Sequence, residues 1–169
     1  MILWINGPYG VGKSTLAEQL HQMRLHSFIF DAEEVGNAVR ENMPPDMFNG
    51  YIFEGYELWF EFCTMLLEKI SQGFDGDIFV PMTLVHPDSF EKIAEPLMKN
   101  GIEVRHILLE SDYKTVHDRI IERGEEEGCW CMENIKLCLE NQRNFRNVIR
   151  LKSLGATVLE LANEVLRRI

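Results

Sequence analysis

The chain is predicted to be an α/β protein, a five-stranded parallel sheet with helices on both faces, and two observations lead there. Short apolar runs of strand length alternate along the sequence with stretches whose apolar residues recur at helical spacing. The first of those runs, Ile2-Leu3-Trp4-Ile5, passes directly into Gly7-Pro8-Tyr9-Gly10-Val11-Gly12-Lys13-Ser14-Thr15, a glycine-rich loop that opens a helix. With 169 residues, 46% of them hydrophobic, the chain suits one domain, residues 1–169, with a substantial core. No linker, repeat or low-complexity stretch interrupts it.

The loop fits the phosphate-loop pattern of Gly, four residues, Gly, Lys and Ser or Thr. Its glycines permit positive φ, so that several N–H groups point inward at one phosphate chain. Lys13 is expected to reach the β- and γ-phosphates, the Ser14 hydroxyl to take a place on Mg²⁺, and the following helix to add its positive end. A chance match in a chain of this length arises about one time in a hundred, but strand, loop and helix in succession are the context the pattern needs. The predicted nucleotide-binding set is Gly7, Tyr9, Gly10, Val11, Gly12, Lys13, Ser14 and Thr15, with ATP and Mg²⁺ as ligands.

Leu16, Ala17, Leu20 and Met23 mark the first helix, and Ser27-Phe28-Ile29-Phe30 reads as the second strand, closed by Asp31. An acid at the carboxyl end of such a strand lies on the edge where doubly wound sheets hold ligands. Asp31 is therefore a candidate base, a contact to Mg²⁺ through water, or simply a helix-start residue, whereas Glu33 and Glu34 suit the positive end of the helix that runs to Arg40. Met43-Pro44-Pro45-Asp46 breaks that helix and leads to a turn at Asn49-Gly50. From Tyr51 to Ile70 an aromatic helical run follows, with Leu58, Phe62, Met65, Leu66 and Lys69 in phase and Trp59 and Phe60 beside them. Such aromatics are mostly core, yet Tyr51, Tyr56 and Trp59 are candidates to line a pocket for a second, organic substrate.

Asp77-Ile78-Phe79-Val80 reads as the third strand, and Thr83 and His86 follow at its carboxyl edge, His86 as a proton carrier or a cap. A helix from about Asp88 to Lys99 stops at Asn100-Gly101. Ile102 to Leu109 supplies the fourth strand and Tyr113 to Arg123 a helix with Val116, Ile120 and Ile121 inward. Arg119 and Arg123, four residues apart, share one face of it and lead into Gly124-Glu125-Glu126-Glu127-Gly128. A short lid at about 122–132, entered through two arginines, would exclude water and bring positive charge to a transferring phosphate; pairing of those arginines with the neighbouring glutamates is the competing account. A long helix from Cys129-Trp130-Cys131 to about Leu151 carries Arg143, Arg146 and Arg150, which could approach from the other side. Thr157-Val158-Leu159-Glu160-Leu161 is expected as the fifth strand and Ala162 to Ile169 as a closing helix. The acceptor side is thus assigned to Asp31, Arg40, Trp59, Thr83 and His86, and the chemistry to Lys13, Asp31, Arg119 and Arg123, with Arg119 also on the nucleotide.

Composition narrows the partners. A formal net charge of −10 without a basic run argues against a nucleic-acid partner. No signal-like segment and no apolar run long enough to span a bilayer occur, so a cytoplasmic protein is expected. Cys63, Cys129, Cys131 and Cys138 form no C-x-x-C pair and suit free thiols. The Asn-Lys-x-Asp and Asp-x-x-Gly signatures of GTPases are missing.

The size, the loop and its helix, and the arginine-flanked flap are similar to those of the nucleotide- and shikimate-kinase group, which implies a three-layer P-loop kinase-like fold. More specifically, Ile2 to Lys13, Phe30-Asp31, Tyr56-Glu57-Leu58-Trp59 and, most distinctively, Val80-Pro81-Met82-Thr83-Leu84-Val85-His86-Pro87 resemble the tunicamycin-resistance ATP-binding proteins. The resemblance covers most of the chain and weakens after about Arg150. It implies ATP binding and protection against a nucleoside antibiotic, with Gly7, Gly12, Lys13 and Ser14 at the phosphates and Asp31 near the second substrate. Some members of that family attach to membranes through a C-terminal amphipathic helix, and this chain is shorter at its C-terminus than the resemblance leads one to expect. Two functions remain: a kinase moving the γ-phosphate of ATP to a hydroxyl of a nucleoside-like, sugar-like or antibiotic acceptor, and a protein that binds ATP and sequesters a ligand without transfer. The absence of a carboxylate at Pro81-Met82-Thr83 leaves the second reading standing.

Overall fold

The computed structural model describes residues 1–47 and 52–169, apart from the side chain of Pro45. Five strands, β1 (Ile2–Asn6), β2 (Ser27–Ile29), β3 (Asp77–Pro81), β4 (Val104–Glu110) and β5 (Ile149–Lys152), form one parallel sheet in the order β2-β3-β1-β4-β5. Among the described residues seven α-helices connect and close it: α1 (Lys13–Met23), α2 (Ala32–Glu41), α3 (Glu57–Gly73), α4 (Ser89–Lys99), α5 (Tyr113–Glu122), α6 (Trp130–Asn141) and α7 (Val158–Arg168). The expected turn at Asn49-Gly50 and the pocket candidate Tyr51 lie outside the described residues.

Strand β1 is buried along its whole length, and its side chains alternate between two cores as the period of two requires. Ile2 and Trp4 face α3 and α4 through Trp59, Leu67, Ile93 and Leu97. Leu3 and Ile5 face α1, α5, α6 and α7 through Leu16, Leu20, Ile120, Ile135 and Val165. Covering both faces is what lets a parallel sheet be apolar throughout. It also leaves one free edge, the carboxyl ends of β1, β2 and β3, where the loops can build a site.

Several expected boundaries differ. The fifth strand is Ile149–Lys152, and Thr157 to Leu161 instead begins α7. The Thr157 hydroxyl accepts from the Glu160 N–H while the Glu160 carboxylate accepts from the Thr157 N–H, a capping box that turns a β-branched, apolar run into a helix start. The helix expected to reach Leu151 ends at Asn141, so Arg143 lies in a 3-10 turn at Gln142–Asn144, Arg146 follows that turn and Arg150 lies on β5. Helix α3 begins at Glu57, after a 3-10 turn at Phe53–Gly55. Its inner face is Trp59, Phe60, Cys63 and Leu67, and Phe62 and Met65 are exposed. On α5, Ile121 is likewise exposed, leaving Val116 and Ile120 as the buried pair.

Candidate functional site

The loop between β1 and α1 is held by its neighbours on the sheet. Gly10 has φ +80°, and an added Cβ would stand 2.7 Å from the Val116 carbonyl oxygen, so both conformation and space demand glycine. Gly12 caps α1 with φ +104°. Buried Asn6, the last residue of β1, accepts on Oδ1 from the N–H of Gly7 at 2.7 Å and of Leu84 at 2.8 Å, which joins the loop to the end of β3. The Thr83 hydroxyl donates to the Gly7 carbonyl at 3.1 Å from the same side.

Lys13 folds over this loop. Its Nζ donates to the carbonyl oxygens of Gly7 and Pro8 at 3.2 and 3.1 Å and lies 5.6 Å from the Tyr9 ring centroid. Burial lowers its ammonium from the usual 10.5 to about 8, because the charged form has lost water without a carboxylate beside it to compensate fully. Ser14 and Thr15 are exposed at the start of α1, where the helix N-terminus favours anions.

Arg119 and Arg123 both reach this place. Arg119 Nη1 donates to the Val11 carbonyl at 3.0 Å, tying α5 to the loop. Arg123 pairs with Glu125 at 2.5 Å and is about half exposed, so the expected pairing with a neighbouring glutamate is present for one arginine and not for the other. Glu125 in turn accepts from Cys129 Sγ at 3.2 Å. The expected lid comprises the end of α5, the turn from Gly124 to Gly128 and the first residues of α6.

Two cavities flank the loop. The smaller, about 340 Å³, is bounded by Val11, Gly12, Thr15 and Arg119 and extends to Ser153, Val158 and Leu161 on the β5–α7 side. The larger, about 710 Å³, is walled by Tyr9, Asp31, Asn37, Arg40, Thr83 and Trp130, among others. They meet at Gly10, Lys13, Ser14 and Arg123, which line both. Tyr9, expected on the nucleotide, belongs to the larger cavity, where its ring meets Trp130 edge-on at 5.1 Å. Burial pushes its phenol above the ordinary range.

Of the residues assigned to the acceptor side, Asp31, Arg40 and Thr83 line the larger cavity, and Trp59 and His86 do not. Trp59 is fully buried and donates its indole N–H to the Ala32 carbonyl at 2.9 Å, so it is core that positions the start of α2. His86 is exposed and outside both cavities; the chain after β3 turns its backbone N–H inward and its imidazole to solvent. Tyr56 is buried in the same core as Trp59. Arg150 is also occupied elsewhere: it pairs with Glu110 at 2.6 Å and donates to the carbonyls of Gln142 and Phe145, closing the β4–β5 edge. Asp31 itself is the N-cap of α2, and its Oδ1 accepts from the N–H groups of Glu33 and Glu34 at 2.9 and 3.2 Å. That leaves Oδ2 for the cavity.

The residue the sequence reading missed is Glu54. It is 9% exposed, lines the larger cavity, and receives hydrogen bonds from the N–H groups of Val85 and His86 and from the Ser89 hydroxyl. Burial raises its carboxyl above the usual range against the pull of those three donors. A lone acid within Ile52-Phe53-Glu54-Gly55-Tyr56 was the available signal. Glu33, on the exposed first turn of α2, lines the cavity too, and loss of part of its solvation there raises its carboxyl despite the nearby Lys13. Among the described residues no three His, Cys, Asp or Glu side chains are placed to hold a metal together, and all four cysteines are free. No helix of the described residues is long and apolar enough to cross a membrane.

Comparison with protein families matches residues 2–130 to the family described as AAA domain. Comparison with curated proteins gives no significant match. Among solved structures, the tunicamycin resistance protein of Deinococcus radiodurans is similar over 99% of this chain and 94% of its own, with a TM-score of 0.80 and 26% identity. A gluconokinase from Sinorhizobium meliloti 1021 matches over 98% of this chain and 89% of its own, with a TM-score of 0.68 and 13% identity. A deoxyadenosine kinase from M. mycoides matches over the whole of both chains, with a TM-score of 0.58 and 18% identity. The last two likenesses are likenesses of fold. The parallel sheet with helices on both faces is that of P-loop kinase-like proteins, and the first likeness agrees with the resemblance carried by the sequence motifs.

Proposed function

The chain belongs to the AAA domain family, and from that premise we propose that it is a phosphotransferase, moving the γ-phosphate of ATP to a hydroxyl of a small organic acceptor. The observation that carries this reading is the junction of the two cavities at Gly10, Lys13, Ser14 and Arg123. A donor in the smaller cavity and an acceptor in the larger one would face each other across the residues best suited to hold a transferring phosphate.

In this reading Lys13 leaves the carbonyls of Gly7 and Pro8 for the phosphates, and Arg119 and Arg123 add charge from α5. Asp31 Oδ2 orients the acceptor hydroxyl or takes its proton, while Oδ1 stays on the α2 backbone and fixes the carboxylate. Arg40 and Thr83 bound the acceptor. The exposed Ser14 hydroxyl, with Asp31 able to act through water, fits a cation that keeps most of its water and takes few protein ligands, as Mg²⁺ does. When bound, Mg²⁺ would supply neutralisation of phosphate charge.

A second reading, binding of an antibiotic with ATP and no transfer, draws support from the lack of a carboxylate at Pro81-Met82-Thr83 and from the engagement of Asp31 as a cap. The likeness to a tunicamycin resistance protein suits both. The two are separated by ³¹P NMR of ATP, Mg²⁺ and a panel of nucleoside, sugar and antibiotic acceptors. A phosphorylated product supports transfer; affinity for an acceptor without product supports sequestration. Within a transferring protein, Asp31→Asn should abolish most turnover with little change in ATP affinity, and equal turnover would remove Asp31 from the chemistry.

A further inference from the structure

Among the described residues, Glu54 is the one acid of the larger cavity that is buried. It lines that cavity and not the smaller one, which puts it on the acceptor side of the junction at Lys13 and Ser14. The 3-10 turn that carries it, Phe53–Gly55, is braced. Phe53 stacks on Trp59 with 6.2 Å between ring centroids and packs against Gly36 of α2, where a Cβ would run into the ring. The N–H groups of Gly55 and Tyr56 donate to the carbonyls of Ile52 and Phe53 at 3.0 and 2.9 Å and close the turn. A side chain held this way has little freedom left to lose when a ligand binds.

The carboxylate has one acceptor position to spare. An ionised carboxylate offers about four lone-pair sites. Within the protein Oε1 accepts from the Val85 N–H, and Oε2 accepts from the His86 N–H at 2.9 Å and from the Ser89 hydroxyl. Two donors fill Oε2, and Oε1 keeps a lone pair. Burial holds the carboxyl above the usual range although all three donors pull it down, so the charge is still short of partners. One more donor would stabilise it, and because Glu54 lines the cavity a bound molecule can bring that donor.

We propose that Glu54 anchors the acceptor: the open position on Oε1 accepts a hydrogen bond from a hydroxyl or N–H of the acceptor other than the hydroxyl that takes the phosphate. The carboxylate thereby sets how the acceptor lies toward Lys13 and Ser14, and it takes no part in the transfer itself. This rests on the larger cavity being the acceptor site of the reading above. Uridine, glucose and tunicamycin are titrated calorimetrically into the protein saturated with Mg²⁺ and a non-hydrolysable ATP analogue. The tightest binder is then carried through wild type, Glu54→Gln and Ser89→Ala. Glu54→Gln should weaken it about tenfold or more, the loss of a hydrogen bond to a charged group, and leave the ATP analogue bound as before. Ser89→Ala removes one donor and keeps the carboxylate, so it should bind the compound as wild type does. A carboxylate that only tied the turn to the chain after β3 would give equal losses in both variants. That result overturns the proposal, as do an unchanged affinity in Glu54→Gln, an equal loss of ATP-analogue affinity, or no binding of any of the three compounds to wild type. Should Glu54→Gln fail to fold, wild type decides by ¹⁵N–¹H NMR: the ligand should shift the amide resonances of Val85 and His86, and unmoved resonances overturn the proposal. Transfer is followed separately by ³¹P NMR with ATP. Binding that depends on Glu54 without a phosphorylated product would sink the kinase reading and leave the anchor standing; product formed with equal acceptor KM in wild type and Glu54→Gln would do the reverse.

Discussion

Titration of Lys13 should report nucleotide binding directly. In the free protein its ammonium sits at about 8 instead of 10.5, chiefly through burial, with Arg123 acting in the same direction. A polyphosphate beside Nζ restores the charged form. At pH 9 the free side chain then holds about 0.1 proton and the bound one about 1, so binding takes up about 0.9 proton; at pH 7 the uptake is about 0.1. Affinity should fall about tenfold between pH 7 and pH 9, about 1.4 kcal/mol. Calorimetry with an ATP analogue and Mg²⁺ in two buffers of different ionisation heat measures this, because the observed heat shifts with the buffer in proportion to proton uptake. A heat independent of buffer at pH 9, with affinity flat from 7 to 9, would refute the placement of Lys13 on the phosphates. The same shift acts on folding. The folded pKa lies below the unfolded one, so the unfolded chain binds more protons between about 8 and 10.5, and stability rises with pH across that window.

Other substitutions separate neighbouring roles. Arg119→Ala, which frees the Val11 carbonyl, should weaken ATP binding as well as turnover, whereas Arg123→Ala should lower kcat by about 2–4 kcal/mol of barrier and leave ATP affinity near wild type; equal effects in both assays would contradict the geometry. Glu54→Ala leaves three buried donors without an acceptor and should cost about 2–3 kcal/mol in urea unfolding, part of the loss being offset by relief of the buried carboxylate. An unchanged midpoint would show that water replaces the carboxylate without penalty. Gly36→Ala places a Cβ 2.4 Å from the Phe53 ring, so the ring must move; we expect about 1–3 kcal/mol of destabilisation and a change in acceptor affinity, read by unfolding and titration.

The phosphate loop was legible because its parts are contiguous. Positive φ at Gly10 and Gly12, the apolar strand before them and the helix after them are local necessities that residue types express directly. The same holds for β1 and for the middle of β3, where burial on both sheet faces writes itself into apolar runs. At the C-terminus two local signals competed: the β propensity of Thr157-Val158 lost to a capping box whose value depends on a side chain three residues on.

The acceptor side was a different problem. Trp59 and Glu54 lie five residues apart in the sequence; residue type left the tryptophan open as core or ligand contact and favoured the glutamate as surface. The fold settles the first as core and reverses the second. Trp59 is drawn fully inside because helix α3 packs its Trp59 face on the sheet and the Ala32 carbonyl satisfies the indole. Glu54 is buried at the cavity wall because Val85, His86 and Ser89, more than thirty residues later, present three donors to it. Neither arrangement is encoded near the residue itself. The sequence alone determined the glycine-rich loop and the layered sheet, which rest on local backbone requirements and period; tertiary packing alone decided that Glu54 enters the cavity wall, because a buried carboxylate is tolerated only where donors meet it.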